Sequence, residues 1–360
     1  MMNNWIECKN ILCIRADNMG DLIMSTPAIA ALKATFNCKI TILTSTSAAA
    51  VVPLITDIDD VIIADLPWVK PETDGGPNMI HELINKIKLY GFDGCIVFSV
   101  YSQNPLPAVM LAYLAGIPLR LAYCRENPYY LLTDWIQDAE PYFYIRHQVE
   151  RDLDLVEKIG AQTAGQQLRL KLNPKSWVSA KRKLRKIKFP VDQPYLLLHP
   201  GVSEEKRKYP EDLWIVMGKK LLKEFGLPLL ITGSAEQKEL CDHIASGIGN
   251  NVFSVAGLIN LEEFIAVIKH ARLIITVNTS TVHIASALGQ PMVVLYAQSN
   301  PQHTPWRVHH RLLEYSISLD LQSKNQVIQY VNEQYYTKYF APPLAISVIE
   351  AVKDLLKPKK

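Results

Sequence analysis

The sequence predicts an α/β protein of two Rossmann-like domains, each with a doubly wound parallel sheet, that face each other across a cleft. Three observations predict this fold class. Short, almost wholly apolar strands alternate with helices, which is typical of βα units on a sheet covered on both faces. The alternation occurs twice, on either side of a polar and basic stretch. The length of 360 residues fits about two domains.

In the first half, apolar runs of strand length are each followed by apolar residues at helical spacing. The predicted strands are 11–15, 39–44, 60–64, 94–98 and 119–123, and the predicted helices are 21–36, 48–54, 81–90, 107–115 and 146–160. The last of these helices ends at Gly160, a residue type common just after a helix. We expect an N-terminal domain at 1–170 and a linker at 171–192.

The second half repeats the pattern. The predicted strands are 195–199, 228–232, 252–255, 273–277 and 292–296, and the predicted helices are 213–225, 236–247, 261–270 and 282–288. We expect a C-terminal domain at 193–343. Residues 344–360 contain a closing helix, for which packing against the N-terminal domain is the expectation. The sequence suggests no function for 311–343.

Composition excludes some classes of protein. A net charge of +3 is too mild for a nucleic-acid-binding surface, but it suits an anionic substrate or membrane surface. The first ten residues lack a basic start followed by an apolar run, so we expect no signal peptide. Six cysteines without a CxxC pair predict buried free thiols in a reducing cytosol. We therefore expect a cytoplasmic protein.

The loop after the first strand carries two carboxylates, Asp17 and Asp21, around Gly20. Gly20 allows a tight turn, and Asp21 then stands at the start of a helix. One interpretation is a helix cap. The other is a general base displayed at the carboxyl edge of a sheet, where a hydroxyl nucleophile could reach it.

Three loops of the second half carry polar groups that are candidates for binding a ligand. The first contains Gly201, Ser203 and three consecutive cations, which are Lys206, Arg207 and Lys208. These cations either neutralise a diphosphate or form a solvated charge run. Glu236 could accept hydrogen bonds from a ribose, or it could simply be a favourable charge in the first turn of a helix.

Residues 278–281 gather three hydroxyls at a helix start, which is either a phosphate cradle or an ordinary capping run. His283 could orient this loop, or be a buried histidine with its hydrogen bonds satisfied. Neither the GxGxxG nor the GxxxxGK[ST] motif occurs, and no His/Asp cluster has clear metal spacing. We therefore expect no cofactor and no metal, with cations and helix N-termini stabilising a departing diphosphate.

Taken in order, these segments resemble glycosyltransferase family 9, the ADP-heptose:lipopolysaccharide heptosyltransferases. The resemblance covers about residues 10–310. It rests on Arg15 to Asp21 with Thr26-Pro27, on Arg120 in LRLAY, on His147 with Val149-Glu150-Arg151, on His199-Pro-Gly201 with the run from Lys206 to Pro210, and on Asn278 to Pro291. It implies a GT-B fold and an inverting, metal-independent transfer from a nucleotide-sugar.

The resemblance also implies roles for individual residues. Asp21 would be the base, Arg207 the phosphate-binding cation, and Glu236 the ribose-binding acid. Leu258 and Ile259 would line the adenine. The implied donor-binding set is Ser203, Lys206, Arg207, Lys208, Glu236, Leu258, Ile259, Asn278, Thr279, Ser280, Thr281 and His283, and the implied acceptor-side set is Arg15, Asn18, Met19, Gly20 and Arg120.

Two departures from the family pattern stand in the diphosphate loop. Asn278 occupies a position where the family usually has Asp, and Ser280 and Thr281 replace Gly and a frequent Pro. Asn keeps hydrogen bonding but loses a charge, and Ser280 loses the backbone freedom of glycine. The donor sugar and base could therefore differ from ADP-heptose.

The predicted function is transfer of a sugar, with heptose from ADP-heptose as first candidate, to a lipopolysaccharide-core or related acceptor. The expected partners are the nucleotide-sugar, a lipid-linked saccharide and, peripherally, the inner face of the bacterial inner membrane, with no nucleic acid. Trp68, Tyr101, Tyr129 and Tyr130 are candidates for membrane contact or for core packing. The alternatives are a sugar-nucleotide epimerase and a non-catalytic nucleotide-sugar-binding protein; the missing glycine motif disfavours a dehydrogenase.

Overall fold

The computed structural model describes residues 4–69, 76–163 and 165–357. The chain divides into two units, Met1–Lys171 and Leu172–Lys360. Each unit contains a six-stranded sheet in which every paired strand runs parallel to its neighbour. This arrangement confirms the predicted fold class of two parallel-sheet α/β halves.

The first sheet has the strand order β3-β2-β1-β4-β5-β6. Its strands are β1 Asn10–Arg15, β2 Lys39–Thr44, β3 Asp60–Ile63, β4 Gly94–Val97, β5 Leu119–Cys124 and β6 Asp134–Gln137. The chain winds outward from β1 in both directions, so the doubly wound switch point lies between β1 and β4. Ligands of such sheets bind outside the carboxyl ends of the strands at this point.

The helices of the first unit are α1 Met19–Phe36, α2 Thr46–Ala49, α3 Pro77–Leu89, α4 Leu106–Leu114 and α5 Gln148–Glu157. Helix α1 is buried over most of its length, as expected for a helix that is apolar on all sides. The residue after it, Asn37, adopts the left-handed conformation that asparagine tolerates better than most residues. Helix α5 packs beside it, and the Ser25 hydroxyl donates to Asp152 at 2.6 Å.

The second sheet has the strand order β12-β11-β10-β7-β8-β9. Its strands are β7 Leu196–His199, β8 Leu229–Ile231, β9 Val252–Ser254, β10 Leu273–Val277, β11 Met292–Ala297 and β12 His310–Tyr315. All residues of β10 and β11 are buried, and each large apolar side chain buried there stabilises the fold by about 1.5–3 kcal/mol. The switch point of this sheet lies between β7 and β10.

The helices of the second unit are α6 Pro174–Lys186, α7 Glu211–Phe225, α8 Lys238–Ile248, α9 Leu261–His270, α10 Ser280–Leu288, α11 Gln326–Tyr335 and α12 Ala345–Leu356. The closing helix was expected to pack on the N-terminal domain. The apolar face of α12, with Val348 and Val352, is instead buried in the core of the second unit against α7, β11 and β12.

The segment predicted as a linker is also corrected, because residues 174–186 form a helix that packs on α9. Its basic residues masked a buried stripe at every fourth position, formed by Ser176, Ala180 and Leu184. The side chains of Ser179 and Lys183 both bind Glu263 of α9 at 2.7 Å. Residues 171–192 therefore belong largely to the folded second unit.

Two edge strands and one further helix were not predicted. In β6 partly buried and exposed residues alternate, and β12 begins with His310 and Arg311, so neither has the apolar run of a central strand. Helix α11 buries Val331 alone among its residues. Edge strands and surface helices bury little, and they leave a correspondingly weak apolar signal in a sequence.

Candidate functional site

The loop between β1 and α1 holds two carboxylates around one buried cation. The Arg15 side chain is fully buried at the end of β1, with its Nε 3.3 Å from Asp17 Oδ2 and its Nη2 3.3 Å from Asp21 Oδ1. Asp21 also accepts from the main-chain N–H of Asn18 at 3.1 Å through its other oxygen. Its side chain is 12% exposed. This partial exposure lets an incoming hydroxyl reach the carboxylate.

Both predicted readings of Asp21 are therefore compatible with the geometry. It caps the first turn of α1, and it lies at the carboxyl edge of the strand next to the switch point. Gly20 is the second residue of α1 and is helical, so the tight turn predicted for it does not occur. Asn18 is the residue before the helix, and Met19 is its first residue.

Asp152 of α5 and Gln103 of the loop after β4 also act on this loop. Burial lowers the pKa of the Arg15 guanidinium, but the charges of Asp17, Asp152 and Asp21 outweigh it and raise the pKa overall. Burial raises the pKa of Asp17, an effect that Arg15 opposes and the Asp21 charge reinforces. The side-chain amide of Gln103, from the loop after β4, donates to Asp17. The positive charge of Arg15 thus offsets the charges of Asp17, Asp21 and Asp152.

Arg120 lies away from this loop, which corrects its assignment to the acceptor side. It is the second residue of β5, and its partner across β4 and β1 is Leu12, three residues before Arg15. A parallel strand rises about 3.3 Å per residue, so Arg120 lies toward the amino edge of the sheet. Its guanidinium donates to the carbonyls of Leu131 and Tyr130 at 2.6 and 3.0 Å, and it therefore stabilises a turn.

In the second unit, the predicted donor-binding residues lie in the loops after four neighbouring strands, β10, β7, β8 and β9. The loop after β7 contains Ser203 and the three cations, and Glu236 follows β8. Leu258 and Ile259 follow β9, and residues 278–283 follow β10. Because parallel strands end at the same edge, the fold brings this whole set together. The sequence could order these loops, but it could not show that their strands are neighbours.

Acidic neighbours bind all three cations of the loop after β7. Glu204 contacts Lys206 at 2.6 Å and Arg207 at 2.5 Å. Lys208 turns to Glu211 at 3.3 Å. Arg207 differs from the lysines because its Nη1 also donates to the main-chain oxygen of Asn278 at 3.3 Å. Arg207 is thereby held against the start of the loop after β10.

The N-terminus of α10 presents buried polar atoms that lack partners. Among the residues that the structure describes, Arg207 Nε and the hydroxyls of Thr279 and Thr281 have no hydrogen-bond partner. A buried polar group without a partner costs about 1–3 kcal/mol, and such exceptions call for an explanation. Free N–H groups and the helix dipole at the same end favour a bound anion. The predicted phosphate cradle is thus the part of the set with the clearest physical signature.

His283 is buried in the second turn of α10, with its ring 6.1 Å from that of His303. His199, at the end of β7, bonds the Thr232 hydroxyl at 2.9 Å. Burial lowers the pKa of His199 to about 4, so this ring is neutral at physiological pH. Both histidines are packed parts of the framework here.

The residues predicted to bind a nucleoside are more exposed. Leu258 is 43% exposed and follows Gly257, whose φ of +72° requires little or no side chain. Gly257 N–H donates to the Gly233 carbonyl at 3.2 Å, which joins the loops after β9 and β8. The Glu236 carboxylate is fully exposed, and a hydrogen bond from Ser234 lowers its pKa. This end of the site therefore combines exposed apolar surface, at Leu258, with an exposed carboxylate, at Glu236.

The structure adds residues that sequence reasoning missed. The Gln237 amide accepts from Ser234 N–H at 3.0 Å and donates to the Val202 carbonyl at 3.2 Å. A Cβ on Gly201 would overlap this amide, which explains the glycine there. The segment 297–303, after β11, also lies at this edge. Neither Gln237 nor this segment has a recognisable motif, since their roles depend on contacts with other loops.

The membrane-contact candidates divide by burial. Tyr101 is buried and Trp68 packs on the core, whereas Tyr129 and Tyr130 are exposed. Within the described ranges, no helix has the length and apolar character needed to cross a bilayer. In the same ranges, no group of three or more His, Cys, Asp or Glu side chains is arranged to hold a metal ion. The six cysteines are free and buried.

Relatives with known names match this chain. Residues 80–336 match the family model described as "Glycosyltransferase family 9 (heptosyltransferase)". Lipopolysaccharide heptosyltransferase 2 of Escherichia coli K12 is 26% identical over 212 residues, which cover 56% of this chain. The match spans 60% of the length of that relative, so it concerns only part of the relative.

Solved structures extend the similarity to the whole fold. A glycosyl transferase family 9 protein from Veillonella parvula matches with a TM-score of 0.75, 18% identity and coverage of 97% of both chains. ADP-heptose LPS heptosyltransferase II of E. coli matches with a TM-score of 0.70 and 20% identity, covering 96% of this chain and 98% of the other. These matches confirm the GT-B class of fold. The family match covers well over half of the chain, and the chain therefore belongs to glycosyltransferase family 9.

Proposed function

We propose that the protein is an inverting, metal-independent glycosyltransferase that moves a sugar from a nucleoside-diphosphate donor to a glycan acceptor. The observation that carries the proposal is the N-terminus of α10, where Arg207, Thr279 and Thr281 hold buried polar atoms without partners in the described chain. Such a site suits the diphosphate of a nucleotide-sugar. Because the chain belongs to a glycosyltransferase family, the anion that we propose for this site is the diphosphate of a sugar donor.

The proposed reaction is a single displacement. The acceptor hydroxyl oxygen attacks the anomeric carbon, and the bond from that carbon to the diphosphate breaks. The leaving nucleoside diphosphate keeps the electron pair, and the hydroxyl proton moves to Asp21. Arg207 and the α10 N–H groups stabilise the charge that develops on the leaving oxygen, and fixed donors of this kind supply a large share of catalysis. They fill the role that a divalent cation has in other transferases.

Asp21 is supported as the base by its place in the loop. The side chains of the two carboxylates beside Arg15 are almost equally exposed, at 11% for Asp17 and 12% for Asp21, and Asp21 is the one at the helix start. Asp17 is tied into the loop by Gln103. A base must lie within hydrogen-bond reach of the proton that it removes, and Asp21 lies partly exposed at the carboxyl edge of the sheet. Arg15, Asn18, Met19 and Gly20 then form the acceptor side, with Arg120 removed from that set.

We propose ADP-heptose as the donor and a lipopolysaccharide-core or related lipid-linked glycan as the acceptor. The support is that named relatives are lipopolysaccharide heptosyltransferases. Leu258 and Ile259 offer apolar surface for a base, and Glu236 offers a carboxylate for ribose hydroxyls. Ser203, Lys206 and Lys208 lie in the same loop as Arg207 and would contribute less, because their side chains are exposed or bound to glutamates.

We further propose that the protein works in the cytoplasm, in peripheral contact with the inner face of the inner membrane. After β6, the exposed side chains of Tyr142, Phe143 and Tyr144 lie near Arg125 and Arg146. Aromatic rings beside cations suit the interface of an anionic bilayer. Tyr129 and Tyr130 add exposed aromatic surface. Sedimentation with vesicles that contain about 30% anionic lipid would measure this contact.

The deciding experiment is a thermal-shift panel of ADP, UDP, GDP and CDP, followed by a transfer assay with ADP-heptose. We expect ADP to raise the melting temperature more than the other three, since binding to the native state stabilises it. Transfer to an acceptor supports the proposal. Conversion of the donor without an acceptor would indicate an epimerase, and binding without any turnover would indicate a non-catalytic protein. Absence of all nucleotide binding would overturn the proposed function.

A further inference from the structure

Helix α6 lies in a strongly basic segment whose charge the net charge of the chain conceals. Residues 174–188 contain no aspartate or glutamate. Their seven cations are Lys175, Lys181, Arg182, Lys183, Arg185, Lys186 and Lys188. The whole chain has a net charge of only +3, because acidic residues elsewhere balance this segment in the sum. A cluster of this kind creates a local positive potential whatever the net charge is.

Helix α6 is held against α9 by both of its flanks. On one flank, the Ser179 hydroxyl donates to Glu263, in the first turn of α9, at 2.7 Å. On the other, the Trp177 ring stacks on that of His270, the last residue of α9, with 3.8 Å between the ring centroids. The stripe that contains Ala180 is buried between the two flanks. The opposite face of α6 therefore points away from the protein.

The residues of this opposite face, which we call the outer face of α6, are Lys175, Val178, Arg182, Arg185 and Lys186. Each lies three or four residues from another member, so their side chains are neighbours on the helix surface. All five are exposed, and Val178 is 70% exposed. Arg185 lies 3.5 Å from Asp192. Within the described ranges, the other three cations of the outer face have no ion pair.

The helix dipole accounts for only part of this charge. It favours cations in the last turn, which contains Lys183, Arg185 and Lys186. It disfavours Lys175 in the first turn, where no acidic residue compensates the charge, and it is weak at Arg182 in the middle of the helix. Arg182 and Lys186 are also four residues apart, a spacing at which like charges repel. The stability of the helix therefore does not explain the outer face.

We propose that the outer face of α6 is a docking surface for an anionic lipid bilayer. Cations around an exposed aliphatic side chain, with a tryptophan at the flank, are typical of helices that lie flat on a bilayer. The 13 residues of α6 give a contact about 20 Å long. Lysines and arginines this close to a bilayer are attracted by its anionic lipids. A nucleic acid would also attract the cations, but it has no apolar phase to receive Val178.

This surface is separate from the aromatic residues 142–144 proposed above for membrane contact, because those belong to the first unit. The two surfaces also differ in chemistry. Aromatic rings insert at the interface of any bilayer, whereas the outer face of α6 requires anionic lipid. Its use in reaching a lipid-linked acceptor rests on the proposed function, but its binding to a bilayer does not.

The test is sedimentation of the full chain with vesicles of phosphatidylcholine, with or without about 30% phosphatidylglycerol. The variant is Arg182→Glu combined with Lys186→Glu, which reverses two charges of the outer face. The matched control is Lys219→Glu combined with Lys220→Glu on α7, which changes the net charge equally. Lys219 and Lys220 are exposed and have no ion pair among the described residues. Both double variants should melt within about 2 °C of the wild type, because exposed charges contribute little to stability.

We expect the wild type to bind anionic vesicles on the order of 10-fold more tightly than neutral ones, and to lose this preference at about 1 M salt. Reversal of Arg182 and Lys186 should remove the same preference, a loss on the order of 10-fold. Reversal of Lys219 and Lys220 should weaken binding by less than about threefold. Val178→Ser should weaken it by about 2- to 5-fold. The affinity for ADP should be unchanged in every variant.

Equal binding of the wild type to neutral and anionic vesicles would overturn the docking surface. Equal losses in the two double variants would also contradict it, because net charge alone would then decide. So would an outer-face variant that keeps its vesicle binding but loses the binding of a single-stranded oligonucleotide, since the partner would then be a nucleic acid.

Two further outcomes are separable. If the outer-face variant does not fold, Arg182→Gln with Lys186→Gln replaces it, and wild-type binding to anionic vesicles in that variant rejects the proposal. If the wild type transfers no sugar to any acceptor, the proposed function fails, while sedimentation still decides whether the outer face of α6 binds the bilayer.

Discussion

The loops after β1 and β10 each lie beside the switch point of their own sheet, yet they differ in how their buried polar groups are paired. In the first, Arg15 compensates the charges of Asp17 and Asp21 within the loop. In the second, the Thr279 and Thr281 hydroxyls and Arg207 Nε lack partners among the described residues. An internally compensated loop suits a proton transfer, which needs a base of fixed geometry. A loop with unused donors suits an anion that arrives and leaves.

The largest expected effect tests the first loop. Asp21→Asn removes the proton acceptor but keeps an oxygen that can accept from Asn18 N–H, so kcat should fall on the order of 100- to 10,000-fold. Steady-state kinetics with ADP-heptose and direct ADP titration would measure this, and the ADP affinity should stay within about twofold. The variant should still fold because its cap is retained.

Glu263 provides the matched control, because it holds the same position at the start of α9 and accepts from Asn260 N–H at 2.9 Å. Glu263→Gln removes a capping charge that has no proposed part in the chemistry, so its kcat should change by less than about threefold. If both variants lose activity in parallel with their melting temperatures, Asp21 is a cap and nothing more.

The next effect tests the cations of the second unit against one another. Arg207→Met should lower kcat/KM on the order of 100-fold, because it removes a fixed donor from the leaving group. Lys208→Met should lower it by less than about fivefold, since the Lys208 ammonium is exposed and paired with Glu211. Kinetics of the two variants under one set of conditions would rank them. Equal losses would mean that charge alone matters, and that the contact of Arg207 with Asn278 does not.

A smaller effect tests whether the unpartnered hydroxyls await a ligand. Thr281→Val keeps the shape of a buried side chain and removes a hydroxyl that has no partner in the described chain. Without nucleotide, the free energy of unfolding should stay the same or rise by about 1 kcal/mol. ADP should bind about 5- to 30-fold more weakly, which corresponds to the loss of about 1–2 kcal/mol. A lower free energy of unfolding with unchanged ADP affinity would show that the hydroxyl has only a structural role.

The smallest effect concerns pH and the neutral framework of the second site. Burial holds the pKa of His199 at about 4, whereas an unfolded chain would protonate it near its ordinary value of about 6.5. Between these values the unfolded state binds more protons, so stability rises with pH and is lost as pH falls. Unfolding by urea at about pH 7 and about pH 5 should show a smaller loss for His199→Gln than for wild type. Parallel losses would contradict the assignment.

Much of the fold was predictable because central strands have a clear sequence pattern. Strands such as β1 and β11 are apolar over nearly their whole length, because both faces of the sheet are covered there. Such continuous apolar runs are easy to recognise in a sequence. Strands β6 and β12 were missed because an edge strand buries fewer side chains. Helix α6 was mistaken for a linker because its lysines and arginines outnumber the few small residues that it buries. Each of these elements was missed because it buries little apolar surface.

The candidate site was predictable as a list of residues and not as an arrangement. Arg15, Asp21 and the run 278–283 could be selected because polar residues after apolar strands mark the carboxyl edge of a parallel sheet. Arg120 was assigned to the acceptor side through the resemblance to the family, and its place near the start of β5 argues against that assignment, since ligands bind at the carboxyl ends of the strands. Gln237 was overlooked because its amide contacts loops that are distant in sequence.

The sequence by itself determined the class of fold, the family and the loops that carry polar groups, since all three depend on local periodicity and on residues close together in the chain. Only the tertiary structure decided which strands are neighbours, which cations are already paired, and that the Asn278 side chain contacts the end of β11. These depend on contacts between distant segments, where each polar atom either finds a partner or is left without one. Residue type alone does not show whether a buried carboxylate is paired with an arginine or whether a buried hydroxyl has no partner.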